Sequence, residues 1–389
     1  MTATSFQHLA PPARFFVGEN SLVSLGRELD RLGSKRAAVV CGSSLSRDAG
    51  AMGLVRDAIG TRLAGVIANV KAHSPVPAVI ETSHELAAMN ADAVIAVGGG
   101  SAMVTARAAS IFAAEGTNPD RLCSVRGTDG RWTSPRLDKL KLPQLVIPTT
   151  PTTACMKAGS AVFEPETGAR LALFDPKTRA QSVFVHPALV STAPQQLVLS
   201  ATMNTLCMAV EGLESNQANQ ISDGYLMQAL RLVSSRLPLE GRDDVQARCD
   251  LVLAAILVGL GTEQSAGGVA SVLGYAIGAR HRTDNGLVNA IMLPHTMRFN
   301  APATQGRAGK IAVALGVAGS GKPGIDQAVA AVEELIQPLP LARRLRDAGI
   351  LESDLAGIAQ AAIGEWFLQK NPRRVEGPED LDALLRAAW

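Results

Sequence analysis

The 389-residue chain has no excess of either charge: 37 Lys and Arg stand against 35 Asp and Glu, well mixed, for a formal net charge of +2. Such a surface lacks the electrostatic footprint of a polyanion binder, so the expected partners exclude nucleic acid and membrane and leave small molecules. Cysteine is sparse. The five, Cys41, Cys123, Cys155, Cys207 and Cys249, are odd in number, scattered and free of any CxxC pair. Neither a disulfide framework nor a structural zinc site is indicated, and a reducing, cytoplasmic location fits. Long apolar runs are missing as well: Leu251 to Leu260 is about half the ~20 residues a membrane span needs. The N-terminus MTATSFQHLAPPARFF lacks a basic stretch followed by an apolar one, so no targeting segment or anchor is expected. The six histidines, His8, His73, His84, His186, His281 and His295, do not cluster.

What is present is enough apolar material for a large core, 47% of the residues, in a chain longer than one typical domain. The first half alternates short, uniformly apolar runs with helical stretches. Ala37–Cys41, Gly65–Val70, Ala93–Val97 and Leu145–Pro148 read as buried strands, with helices between the first three at roughly Arg47–Thr61 and Val76–Met89. That alternation predicts right-handed βαβ units and a doubly wound, Rossmann-like parallel sheet. From about Pro194 apolar residues recur every three or four positions, through Gln195–Glu214, Asp223–Ser235, Asp244–Glu263 and Val269–Gly278, and strand-like runs stop. The expected organisation is therefore an α/β nucleotide-binding domain over residues 1–193 and an all-helical domain over residues 194–389, with a cleft between them. Gly127–Pro143 is polar and turn-rich, a loop or small β excursion.

Gly98-Gly99-Gly100-Ser101 follows a strand and opens the apolar helix Ala102–Ala113. Glycines there allow a backbone turn to pass close to a phosphate, and the N-terminus of the next helix favours an anion. A tight turn needing positive φ is the plain alternative; the place after a central strand favours pyrophosphate. Pro148-Thr149-Thr150-Pro151-Thr152-Thr153 ends another strand, and its hydroxyls suit a ribose or nicotinamide amide as well as a proline-stiffened loop. In the second half, Asn204 and Met208 are four apart on one helical face, the spacing of a two-ligand metal grip. Neither is a good donor for Fe²⁺ or Zn²⁺. The triplet Arg280-His281-Arg282 reads either as a solvated basic loop or as a carboxylate clamp with an acid beside it. Cys155 and Cys207 read as buried, inert thiols.

These elements resemble the iron-containing alcohol dehydrogenase family, whose fold is shared with dehydroquinate synthase. The family pattern GGGS, PTTxGTGSE, DALxHAxE, HxxxHxxG, HG and PHxxxxN runs in order through Gly98–Ser101, Pro148–Met156, Asn204–Glu211, Ser271–Gly278, Asn285–Gly286 and Pro294–Asn300. The maleylacetate reductase branch looks closest, through Met203–Glu211, Pro294–Ala303 and the C-terminal Asn371–Trp389. The positions that the resemblance pairs with the family's aspartate and three histidine ligands hold Asn204, Met208, Ser271 and Asn285, so no metal is expected. Tyr275 stands where the family has a further histidine, Ala154-Cys155-Met156 replaces GSE, Arg107 replaces a lysine and Val104 an aspartate.

The resemblance implies NADH or NADPH, held by Gly98, Gly99, Gly100, Ser101, Thr149, Thr150 and Thr153, and a homodimer. It implies a maleylacetate reductase-like activity on a small enoate or keto acid in aromatic catabolism. Without metal, the acid and oxyanion roles fall to Tyr275, His281 and Arg282, and substrate orientation to Asn204 or Asn285. Loss of four ligands would equally accompany a switch to a lyase, hydrolase or isomerase on the same scaffold, or to a catalytically silent binding subunit.

Overall fold

A computed structural model describes residues 5–128, 131–239, 244–265, 267–281, 283–304, 306–317 and 324–389. The chain divides into two compact units, Pro11–Pro194 and Gln195–Trp389, the second taking in the N-terminal segment ahead of Pro11.

The first unit is built on a six-stranded parallel sheet. Its strands are β1 (Arg14–Val17), β2 (Ala37–Gly42), β3 (Leu63–Val70), β4 (Ala93–Gly98), β5 (Gln144–Pro148) and β6 (Ala180–Val185), in the spatial order β1-β6-β5-β4-β2-β3. The four strands expected from apolar runs are its centre and one edge. β1 and β6 are not marked in the sequence, for different reasons: β1 is a four-residue edge strand whose short apolar run, Phe15–Val17, stays largely exposed, and β6 is interrupted by Gln181 and Ser182. A hairpin, Gly159–Glu164 with Ala169–Phe174, was also not anticipated, whereas the polar stretch after Gly127 does contain a small excursion in which Trp132–Thr133 pairs with Val125–Arg126.

Alternation along the central strands explains the double winding. Val39, Cys41, Ile95, Val97, Leu145 and Ile147 pack on one face with Leu25 and Leu29 of α1 (Leu25–Arg31) and Met52, Val55 and Ile59 of α2 (Ala49–Ile59). By the period of two, Ala38, Val40, Val94, Ala96 and Val146 turn to the other face, where α3 (Val76–Ala88) and α4 (Gly100–Glu115) pack together and α4 lies against β4. Both faces are therefore dry, and each fully buried Val, Ile or Leu contributes roughly 1.5–3 kcal/mol. The chain reverses its direction of winding between β2 and β4, so the carboxyl end of β4, at Gly98, lies at the topological switch point of the sheet.

The second unit is helical: α5 (Gln195–Glu214), α6 (Gln220–Arg236), α7 (Val245–Ser265), α8 (Val269–His281), α9 (Asn285–Asn300) and shorter helices beyond. Asn219 caps α6, accepting from the N–H groups of Ile221 and Ser222 at 3.1 Å, while the Ser222 hydroxyl accepts from the Asn219 N–H at 2.8 Å. That is the reciprocal capping box that fixes a helix start. Leu226 of α6 sits between two glycines, since a Cβ on Gly212 of α5 or on Gly261 of α7 would come within 2.8 or 2.7 Å of it. The Val245–Glu263 stretch of α7 is long and apolar enough, by length and composition alone, to cross a membrane, which the Leu251–Leu260 run had not suggested; 67% of it is buried inside the unit, as a core helix would be.

The C-terminal stretch that carried part of the resemblance is architectural. Buried Asn371 donates to Asn300 Oδ1 at 2.7 Å, and Trp389 Nε1 donates to the Ile350 carbonyl at 2.8 Å. These contacts tie the end of the chain to α9 and to the segment before the last helices.

Candidate functional site

In the α/β unit, the structure brings the glycine turn and the threonine cluster together. Gly98 ends β4 with φ +141, a backbone state that favours glycine. It is paired with Pro148 in register, and the Thr149 N–H donates to its carbonyl at 3.0 Å. A Cβ on Gly99 would stand 3.0 Å from Thr150 Oγ1, and one on Gly100 would stand 3.0 Å from Thr152 Oγ1. The glycines are thus demanded from the threonine side, and each would lose that close approach if it carried a side chain. Gly99 is the N-cap of α4, whose first N–H groups have no partner within the helix. A backbone cradle at a helix N-terminus, at the sheet's switch point, fits the pyrophosphate of a dinucleotide.

One member of this site was not legible. Ser74 has no motif of its own, yet it accepts from Thr105 Oγ1 at 2.9 Å and donates to the Ser101 carbonyl at 3.2 Å; within the threonine cluster, Thr152 is the residue that meets Gly100. Arg107 had been singled out only as a basic replacement. Fully buried, it donates to the carbonyls of Ala154 and Gly159, both at 2.5 Å, and so holds the chain that follows Thr153 against α4. Cys155 lies in that segment, its thiol pushed up to about 12 by burial. It is no nucleophile.

In the helical unit, the four ligand-equivalent positions lie on α5, α8 and α9, three helices that pack on one another. Asn204 and Met208 are one turn apart on α5, with 3.7 Å between the Asn204 amide and Met208 Sδ. Asn289 of α9, almost wholly buried, has its amide 3.0 Å from that of Asn204. Ser271 is buried and engaged twice by Glu211: its N–H donates to Oε1 at 3.0 Å and its hydroxyl to Oε2 at 2.5 Å. Burial raises the Glu211 pKa, with the Ser271, Gly268 and Ala270 donors pulling the other way. Cys207, one turn before Glu211, has its thiol raised well above the ordinary range by burial and by the carboxylate's charge.

Asn285 opens α9, behind the N-cap Asp284, which accepts from the Gly286 N–H at 3.0 Å and from the Ser200 hydroxyl. Its side chain packs on α8 at Gly278, where a Cβ would collide with it; Gly274 makes the same allowance for Asn289. Glycine costs a helix interior about 1 kcal/mol. Here it lets two helices close over amide side chains.

Tyr275 lies on α8, one turn after Ser271, with its ring 5.9 Å from that of Phe367. Arg280 and His281 are not loop residues: they form the last turn of α8. His281 Nε2 is 3.7 Å from Asp354 Oδ2, and the Arg280 guanidinium packs on Gly357. The structure therefore turns His281, expected as an acid, toward a carboxylate of the protein itself. Arg282 lies outside the described residues.

This donor set does not fit a divalent metal. It offers two amides, a thioether and a hydroxyl already donated to a carboxylate, where Fe²⁺ or Zn²⁺ takes imidazole, thiolate or carboxylate. Among the described residues no group of three or more His, Cys, Asp or Glu is placed to hold an ion.

Comparison with known proteins agrees with the fold and the motif order. The sequence matches the family described as Iron-containing alcohol dehydrogenase over residues 12–187, and that described as Fe-containing alcohol dehydrogenase family, C-terminal, over residues 198–389. It is 28% identical over 378 residues to a lactaldehyde reductase of Escherichia coli (strain K12), covering 96% of this chain and 97% of that protein. It is 26% identical over 389 residues to an NAD-dependent methanol dehydrogenase of Bacillus methanolicus, covering 97% and 98%. The crystal structure of maleylacetate reductase from Agrobacterium tumefaciens superposes with a TM-score of 0.80 at 22% identity, covering 99% of this chain and 98% of that one. With both halves of the sequence matched and the architecture shared end to end, this chain belongs to the iron-containing alcohol dehydrogenase family of oxidoreductases.

Proposed function

We propose that this chain is a nicotinamide-dependent reductase that works without a metal ion on a small enoic or keto acid. The observation that carries the reading is the state of the ligand-equivalent positions: Ser271 is committed to Glu211, Asn204 is paired with Asn289, and Asn285 is packed on Gly278. A neutral, hydrogen-bonding surface stands where the family would hold a cation.

NADH or NADPH supplies the hydride when bound. The backbone of Gly98, Gly99, Gly100 and Ser101 would hold its pyrophosphate, with Thr149, Thr150 and Thr153 beside it for a ribose or amide contact. A family relative named as an NAD-dependent enzyme supports this assignment. On the substrate, hydride arriving at a carbon conjugated with a carbonyl builds negative charge on oxygen. Tyr275 is our choice for the group that meets that charge and returns the proton, since a phenol is a donor that holds its proton at neutral pH. Arg282 is our choice for the carboxylate clamp, by its planar fork of donors. His281, paired with Asp354, is given an anchoring role.

The test is calorimetry of NADH and NADPH against chelator-treated protein, followed by turnover of enoic and keto acids read by nicotinamide absorbance. Binding with turnover supports the proposal. Turnover of such acids with no change in nicotinamide would assign a lyase, hydrolase or isomerase instead.

A further inference from the structure

We infer that Asn289 is a positioning residue that fixes which way round the Asn204 amide sits, and so leaves residue 204 a hydrogen-bond acceptor toward substrate. The substrate half of this rests on the reductase reading above; the orientation half stands on packing alone.

Two orientations of the buried Asn289 amide can join it to Asn204. In one, its nitrogen donates to Asn204 Oδ1 at 3.0 Å. In the other, its nitrogen donates to the main-chain oxygens of Ala270 at 3.1 Å and Asn285 at 3.2 Å, while its oxygen accepts from the Asn204 amide across the same 3.0 Å. The first leaves the Asn289 oxygen facing the main-chain oxygens of Ala270 and Asn285; the second matches donor to acceptor once the Asn204 amide turns as well, which gives up only the weak contact of its nitrogen with Met208 Sδ. Asn289 is only 1% exposed, so water cannot repair a mismatch, and the second orientation is the one the site adopts. Its two main-chain partners, on α8 and α9, are fixed by the helices, and Gly274 gives the amide its room. Asn289 is therefore the rigid member of the pair.

The consequence falls on Asn204. Its nitrogen must face the Asn289 oxygen, which turns its own oxygen to the side of Met208, into the place from which the nitrogen would otherwise reach Sδ at 3.7 Å. A thioether accepts but cannot donate, so Met208 does not use that oxygen. Residue 204 thus offers a substrate an acceptor, suited to a hydroxyl or an undissociated acid and not to an oxyanion. A substrate or product bearing a hydroxyl beside the reacting carbon would be recognised there, while stabilisation of negative charge falls to Tyr275.

The experiment is to place a titratable acceptor at the same spot. In Asn204→Asp, an ionised carboxylate would face the Asn289 oxygen. The variant should unfold more readily than the parent at pH 7, by at least ~10-fold in the unfolding equilibrium, and recover near about pH 4, where the protonated carboxyl can donate to that oxygen. Asn289→Ala should abolish this pH-dependent difference. A variant as stable as the parent at pH 7, or stabilised there, would overturn the assignment. If Asn204→Asp does not fold at neutral pH, Asn204→Ala gives a second reading by hydrogen exchange. The Asn289 amide hydrogens should stay protected, because they donate to Ala270 and Asn285; their exposure would show that they had donated to Asn204. Neither readout involves cofactor or turnover, so failure here leaves the reductase proposal standing, and failure to bind NADH or NADPH leaves this one.

Discussion

Ser271 donates its hydroxyl to one oxygen of Glu211 at 2.5 Å and its main-chain N–H to the other at 3.0 Å. With Gly268 and Ala270 also donating to that carboxylate, a side chain from α5 caps the first turn of α8. The residue at a ligand-equivalent position has become part of the scaffold that holds Tyr275 one turn further on.

Ser271→Ala removes a charge-assisted hydrogen bond from a buried carboxylate, at a cost of about 1–3 kcal/mol. The midpoint of thermal unfolding should fall by roughly 2–4 °C for each kcal/mol in a unit of this size. An unchanged midpoint would mean that the main-chain donors alone satisfy Glu211.

The purified protein should hold no stoichiometric Fe or Zn and should be indifferent to chelator, because amide, thioether and a committed hydroxyl cannot replace a set of carboxylate and imidazole donors. Elemental analysis decides this. One equivalent of either metal, lost together with activity on dialysis against chelator, would sink the metal-free reading.

Gly99→Val should weaken dinucleotide binding at least ~10-fold, about 1.4 kcal/mol. Two effects act together: the side chain would obstruct the phosphate cradle, and its Cβ would stand 3.0 Å from Thr150 Oγ1, pushing the threonine segment away. Calorimetry with NADH and NADPH measures the loss. Retained affinity in a folded variant would move the pyrophosphate elsewhere.

Glu214 gives the stability a pH dependence of definite sign. Burial raises its pKa from 4.5 to about 8, against the opposing hydrogen bond from Asn300. Between those values the folded state keeps a proton that the unfolded state releases, so stability is full below about 4.5, falls as the pH rises toward about 8, and is flat beyond. The slope from this one group approaches about 1.4 kcal/mol per pH unit. Glu214→Gln keeps an acceptor for Asn300 and cannot ionise. Its melting temperature should exceed the parent's at pH 8 and converge with it near pH 5. Parallel melting curves for the two proteins across that window would show that Glu214 is ionised in the folded state.

The winding of the first half and the helical character of the second were open to the sequence, because both rest on local periodicity. Uniform apolar runs such as Ala93–Val97 mark strands covered on two faces, and recurrence every three or four residues from Gln195 marks helices. The edge strand Arg14–Val17 offers only the three apolar residues Phe15 to Val17, largely exposed, and does not mark itself as a covered strand. It is a strand only because Val183 and its neighbours lie alongside to receive its hydrogen bonds.

The glycine turn and the threonine cluster could each be found by eye, yet nothing in the sequence says that Gly99 touches Thr150. That contact exists because β4 and β5 pair in register and end together. The same division holds in the helical unit. The sequence alone determined that Asn204, Met208, Ser271 and Asn285 are poor ligands, since donor strength belongs to the residue type. What each does instead was decided by tertiary structure. Glu211 lies 60 positions from Ser271, and Asn289 lies 85 from Asn204. Helix packing alone sets which amide faces which, and whether a hydroxyl is offered to a ligand or kept by the protein.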